Sequence, residues 1–285
     1  MMHVQAGAAA PTLPAADLAF VRELVRSRSA IVIEEQRGYL VESRLRQLAR
    51  LEGFDSIAEL LGAVRAADDG LDDRLVEAMV TGETRFFRDP AVFEALAAVV
   101  VPERLAAIGD ARPLRMWCGA CSTGQEAYSL AMLLDECHGA LLGGGGATIL
   151  ASDLARSFIR RAAAARYSAL EVARGLEPRR LERNFERHDD GWRILDPLRG
   201  AIETRQLNLA SDWPDDLVDL DIVLLRNVLL YLDRDARVRV LRRVAERMAP
   251  GGWLVLGAAE TTLEAEGAFE QTRAGEVVLY RPRES

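Results

Sequence analysis

The sequence predicts an α/β protein with a mostly parallel sheet, preceded by a separate all-α domain. Two observations carry this. From Arg112 onward, short apolar runs (LRMWC, TILAS, DIVLLR, WLVLG and VVLYR) alternate with helix-like segments, the texture of βαβ units. In residues 17–78 no strand pattern is visible, and apolar residues recur at helical spacing.

The totals fit this reading. The chain has 285 residues, enough for one large domain with a small one beside it. At 49% hydrophobic it can build a folded core, yet no apolar run reaches membrane-spanning length. The net charge of −8 argues against broad nucleic-acid binding. Every basic side chain other than histidine is arginine, since the chain contains no lysine. Residues 1–16 are rich in Ala and Pro without positive charge, which reads as a loose tail rather than a secretory signal. Three cysteines without such a signal point to a reducing, cytoplasmic setting. Cys118 and Cys121 form a C-x-x-C, with Cys137 and His138 further on, but nothing nearby supports a zinc or redox site. Packing at a strand end is the expectation, and no metal is expected.

In order along the chain, Phe20, Leu24 and Val25 open the helical pattern. Tyr39, Leu40, Leu45 and Leu48 continue it, then Ile57, Leu60, Leu61 and Val64. Gly53, the cluster Asp68-Asp69-Gly70 and Gly82 punctuate it. A connector, residues 79–110, follows. Its loop Thr81–Pro90 holds two phenylalanines that can anchor it while Thr84 and Arg88 face a ligand; a solvated Arg88 is the plainer alternative. Asp89 before Pro90 reads as a side-chain helix cap, with a helix from about Pro90 to Ala107. Residues 111–285 form the α/β domain. WRIL and AIETRQL suggest a small β insertion at about 183–207, and the last two apolar runs suggest a closing antiparallel pair.

The segment Arg115–Met132 reads as strand, glycine loop and helix, a place where backbone and helix N–H groups meet a ligand. The loop CGACSTGQE lacks the Gly-Lys-Ser/Thr of a phosphate loop and the G-x-G-x-x-G of a dinucleotide site. Its acidic Glu126 would repel a triphosphate and suits a cofactor with a sulfonium, an ammonium and no phosphate, S-adenosylmethionine. Ser122/Gln125 or Thr123/Glu126 can equally form a capping box. Asp153, just past TILAS, can hold both ribose hydroxyls or cap the next helix. Asn227 ends a buried strand, with Tyr231 beyond it, either over the ligand crevice or as an ordinary half-buried aromatic. Arg37, Arg44, Arg46 and Arg50 lie on the early helices. Such a face is either solvated or ready to receive an acidic partner.

Together, GYLVESRL, ETRFFRDP, CSTGQEAYSLAM, LASD, LNL, LLRNVLLYLD and GGWLVLGAAE, in this order, resemble the CheR family of chemotaxis protein-glutamate O-methyltransferases over residues 17–281. The resemblance implies a Rossmann-like S-adenosylmethionine-dependent methyltransferase sheet with a closing antiparallel strand, a β insertion and a receptor-facing helical domain. It implies cofactor contacts from Thr84, Arg88, Glu126, Asp153, Asn208, Leu209, Arg226 and Asn227. It places Arg88 and Tyr231 nearest the transferred methyl. Arg44, Arg46 and Arg50 would meet acidic helices in the cytoplasmic part of membrane chemoreceptors. A monomer that neither inserts in the membrane nor binds nucleic acid is expected. The rival readings are a methyltransferase acting on RNA or a small molecule, and a non-catalytic S-adenosylmethionine sensor. The chain departs from the family pattern at Gly82 (usually Asn), Gln125 (often Glu), Ala127 (often Pro) and GAAE (often GHSE). Its β insertion is short around His188 to Trp192, as in members that do not need a receptor tail peptide.

Overall fold

The computed structural model describes residues 13–66 and 70–283. The expected N-terminal tail lies outside these up to residue 12, and so do Asp68 and Asp69. The chain divides into two compact units, ending and beginning at Val80 and Thr81.

The first unit is all helical. Helix α1 (Ala15–Ser29) begins inside the stretch read as a tail and buries Val21 and Val25. Helix α2 (Gly38–Glu52) buries Val41, Leu45, Leu48 and Ala49 on one side and ends where Gly53 turns left-handed. Helix α3 (Ile57–Arg65) starts at Ser56, whose side chain accepts the Glu59 N–H. Helix α4 (Leu71–Met79) buries Leu75, Val76 and Met79.

The second unit opens with a continuous helical run, α5 (Pro90–Ala95) and α6 (Val101–Ile108), joined by a wide turn over Leu96–Val100. There follow β1 (Leu114–Gly119), α7 (Gln125–His138), α8 (Ala140–Gly143), β2 (Ala147–Asp153) and α9 (Arg156–Ala164). Next come β3 (Arg166–Ser168), α10 (Ala169–Ala173), α11 (Pro178–Asn184), β4 (Phe185–His188) and β5 (Gly191–Ile194). The chain closes with α12 (Asp196–Gly200), β6 (Ile202–Gln206), β7 (Leu220–Leu225), α13 (Arg234–Arg247), β8 (Met248–Leu256), β9 (Phe269–Ala274) and β10 (Val277–Pro282). The main sheet runs β6-β2-β1-β7-β8-β10-β9. Its first five strands are parallel, and β10 joins antiparallel to both β8 and β9. The central strands are apolar on both faces because helices cover both, and β7 is buried along its whole length.

Two expectations are corrected. AIETRQL does not belong to the insertion: β6 pairs parallel with β2 at the edge of the main sheet, Ile149 opposite Ile202. The insertion is the small sheet β3-β5-β4. The expected closing antiparallel pair gains a third strand: FEQTRA, between the last two apolar runs, is itself the edge strand β9.

At the amino ends of the strands lies a fully buried acid, Asp221. It accepts Arg104 Nη2 at 2.7 Å, Arg112 Nη1 at 2.6 Å and the Arg115 N–H at 2.9 Å. Burial pushes its carboxyl up, but these donors outweigh that and hold it below the usual range.

Candidate active site

Strand order reverses about β1, whose neighbours are β2 on one side and β7 on the other, so the carboxyl ends of these strands frame a crevice. Most of the residues expected at a site gather there. The loop after β1 curls through left-handed residues, Ala120, Ser122 and Gly124, into the start of α7. At φ +94° Gly124 suits only glycine, and a Cβ there would meet Ala162 at 2.9 Å. No capping box forms: the Ser122 hydroxyl donates to the Gly82 carbonyl at 3.0 Å, and Thr123 Oγ1 to Gln125 Oε1 at 2.8 Å. Cys118 and Cys121 are buried, and burial pushes both thiols well up.

The loop Thr81–Pro90 is anchored by its two rings. Phe86, fully buried, packs edge-on against Tyr167 and Phe185 with centroids 5.0 and 5.7 Å away. Phe87 packs on Phe93 and under the Arg180 guanidinium, and its N–H donates to Ser129 Oγ at 2.9 Å. Thr84 and Arg88 are left half-buried, and the Arg88 guanidinium forms no ion pair among the described residues. Asp89 is not a helix cap. Its backbone is left-handed at φ 59°, and its side chain makes no cap bond. The Asp89 carboxylate instead accepts Arg226 Nη2 at 2.5 Å.

Arg226, at the end of β7, is the centre of this arrangement. Its side chain is 1% exposed. Nη1 donates to Glu126 Oε2 at 2.7 Å, and Nη2 also reaches the Arg88 carbonyl at 3.0 Å. Glu126, on the first turn of α7, is thus held by one oxygen, while Oε1 accepts nothing among the described residues. Burial raises its carboxyl above the usual range, with Arg226 and Arg88 pulling the other way.

Asp153 ends β2. Its Oδ2 accepts the Ser122 N–H at 2.8 Å and Oδ1 the Ala155 N–H at 3.0 Å, so it ties the β1 loop to the start of α9. Asn208 forms a turn, its Oδ1 taking the Ala210 N–H at 2.9 Å, and Leu209 is buried with its carbonyl accepting Trp213 Nε1. Asn227 is left-handed at φ 59°, and Tyr231 closes a short helical turn, half-buried and with no side-chain hydrogen bond among the described residues.

In the first unit, the three arginines differ. The Arg44 Nη1 donates to the Met79 carbonyl, a bond inside the helical unit. Arg46 pairs with Glu42 at 2.5 Å, and Arg50 is exposed without an ion pair among the described residues.

Two further residues shape the site. Glu260, in the loop after β8, accepts backbone N–H groups from the β7 loop. Phe158, on α9, fills the space beside Gly82, where a Cβ would lie 2.3 Å from its ring. The glutamate ending GAAE was the only visible sign of the first, and nothing in the sequence marked the second.

The donor set suits a ligand with a cation and a sugar. A desolvated carboxylate with one free oxygen, a second acid at the neighbouring strand end and a glycine turn without a basic side chain fit S-adenosylmethionine. Comparisons with known proteins agree. Residues 82–278 match the CheR methyltransferase, SAM binding domain, and residues 16–80 the CheR methyltransferase, all-alpha domain. Chemotaxis protein methyltransferase 1 of Pseudomonas aeruginosa is 36% identical over 94% of this chain and 98% of its own length. Chemotaxis protein methyltransferase Cher2 of Pseudomonas putida is 35% identical over 92% and 96%. Chemotaxis protein methyltransferase 1 of Vibrio cholerae is 34% identical over 90% and 93%. The carboxylates at the crevice and the two matched domains lead to one conclusion: the chain belongs to the CheR methyltransferase family, enzymes of chemotaxis that use S-adenosylmethionine.

Proposed function

We propose that the protein esterifies glutamate side chains on the cytoplasmic part of membrane chemoreceptors. The likeness to chemotaxis protein methyltransferases along nearly the whole chain supports the receptor glutamate as substrate, and the free Oε1 of Glu126, held in place through Arg226, supports the seat of the cofactor. Glu126 takes the ammonium of the cofactor's methionine end, Asp153 the ribose hydroxyls, and Thr84, Asn208, Leu209 and Asn227 close around the remainder. Arg226 acts from behind, by fixing Glu126 and Asp89. Bound there, S-adenosylmethionine supplies an electrophilic methyl, which the substrate carboxylate takes to give a methyl ester and S-adenosylhomocysteine.

A glutamate with an unperturbed pKa of about 4.3 is already ionised at neutral pH, so it needs no general base. The work of the chain is alignment and removal of water from the carboxylate. The Arg88 guanidinium, unpaired within the described residues, orients that carboxylate. The Tyr231 hydroxyl, equally without a partner, positions it or the methyl donor. Arg46 and Arg50 on α2 receive the acidic flanks of the receptor helix, and Arg44 supports that helix from within.

Radiolabelled methyl transfer to receptor-rich membranes, with base-labile release of methanol, is the expected result. Label in RNA, or cofactor binding without transfer, would reject the assignment. Replacing Tyr231 by Phe should lower turnover; unchanged methylation would reject a role for its hydroxyl.

A further inference from the structure

Glu260 contributes none of the groups assigned above, yet both of its oxygens are saturated by backbone donors. Oε2 accepts the N–H of Asn227 at 2.7 Å and of Gly257 at 2.7 Å. Oε1 accepts Val228 and Leu229 N–H, each at 2.8 Å, and Leu230 at 3.4 Å. One side chain from the loop after β8 therefore organises the whole turn that leaves β7. That turn places Asn227 in the left-handed region at φ 59° and ends at Tyr231. A non-glycine residue holds such a backbone only where its surroundings enforce it.

A second observation shows how closely the clamp is fitted. A Cβ on Gly257 would lie 2.7 Å from Glu260 Oε2, 2.6 Å from Asn227 Nδ2 and 3.0 Å from the Asn227 nitrogen. A side chain at position 257 would force the Glu260 carboxylate or the Asn227 side chain to move.

We propose that Glu260 is a positioning residue for methyl transfer: its carboxylate, as a template for consecutive N–H donors, sets where Asn227 and Tyr231 stand at the cofactor crevice. Charge-assisted bonds to a carboxylate are strong, and Gln, the closest neutral shape, cannot replace it. One of its two ends is an NH2 group, which would face backbone donors and accept nothing. The proposal rests on the reading of Asn227 and Tyr231 as site residues.

The test is Glu260→Gln in the full chain, alone and combined with Tyr231→Phe or Asn227→Ala. The readouts are kcat and the S-adenosylhomocysteine dissociation constant, taken below the melting temperature of each variant. Alone, the substitution should cost about tenfold in one of the two. That loss should shrink by about threefold or more in the background that already lacks the positioned side chain, since the two act as a unit. A loss below about twofold, or an equal factor in both backgrounds, overturns the proposal. If Tyr231→Phe alone leaves kcat unchanged, the reading of Tyr231 fails by itself. The Asn227→Ala arm, read through the dissociation constant, then decides the role of Glu260. Should Glu260→Gln not fold, Gly257→Ala spreads the same clamp with the carboxylate intact and carries the same expectation.

Discussion

Arg226 holds Glu126 by a single oxygen, Nη1 to Oε2 at 2.7 Å, while its other nitrogen reaches Asp89 at 2.5 Å. One guanidinium thus joins the start of α7, the end of β7 and the loop before α5. Removing it strands a desolvated carboxylate. Arg226→Met is expected to cost about 3 kcal/mol in urea unfolding, the range for breaking a buried pair from one side. Glu126→Gln should cost less stability but weaken S-adenosylhomocysteine by about tenfold, the scale of one charge-assisted bond, and leave adenosine binding unchanged.

Glu126 also gives the site a pH dependence. Its folded carboxyl is raised by burial, so protons return to it at a higher pH than to an ordinary glutamate. An ammonium ligand needs the ionised form. Affinity for S-adenosylhomocysteine should therefore fall as pH falls toward this raised value, and calorimetry from about pH 8 down to about pH 5 should show it, starting above the usual 4.3. For the free protein the sign is opposite. A raised folded pKa contributes stability at low pH that is lost as pH rises through it. Binding and stability should diverge in this window, and Glu126→Gln should abolish the divergence.

Gly82 bears on the family pattern directly. A Cβ there would sit 2.3 to 2.9 Å from the Phe158 ring, so the ring occupies the space a side chain at 82 would need. Gly82→Asn alone should lower stability by about 1–3 kcal/mol through overpacking. Combined with Phe158→Ala, the same change should recover most of that loss, with thermal melting as the measure. Additive losses would show the two positions to be independent.

At the other end of the sheet, Asp221 should govern acid sensitivity. Its folded carboxyl is depressed, so its contribution to stability is present above the unfolded pKa and lost as pH falls through the folded value. Asp221→Asn should destabilise the protein by about 3 kcal/mol at neutral pH, because Arg104 and Arg112 lose their common partner. Below about pH 4 the difference from the parent should narrow, since acid removes the same charge.

The sequence carried the parallel core clearly because β1, β2, β7 and β8 are mostly buried and so read as short apolar runs. It misplaced Ile202–Gln206 and missed Phe269–Ala274 for the opposite reason. Both are edge strands, paired on one side only, and IETRQ and FEQTRA show no apolar run at all. Within the site, the sequence placed Asp153 and Asn227 at strand ends and Glu126 at the start of the helix after the glycine loop, and the structure has them there. Asp89 was misread because Asp-Pro is a strong cap signal, whereas here a left-handed backbone turns the carboxylate toward Arg226. Glu260 escaped notice because it addresses backbone N–H groups, which no side-chain motif records.

The anchoring of Phe86 and Phe87 within the second unit has a consequence for how such enzymes diversify. Thr84, Arg88 and Asp89 travel with the sheet, and every residue assigned to the cofactor lies after Val80. The arginines assigned to the receptor all lie before it. On the proposed assignments, receptor choice and methyl transfer would draw on separate stretches of sequence, so substitutions before Val80 should alter the receptor preference while leaving cofactor affinity unchanged.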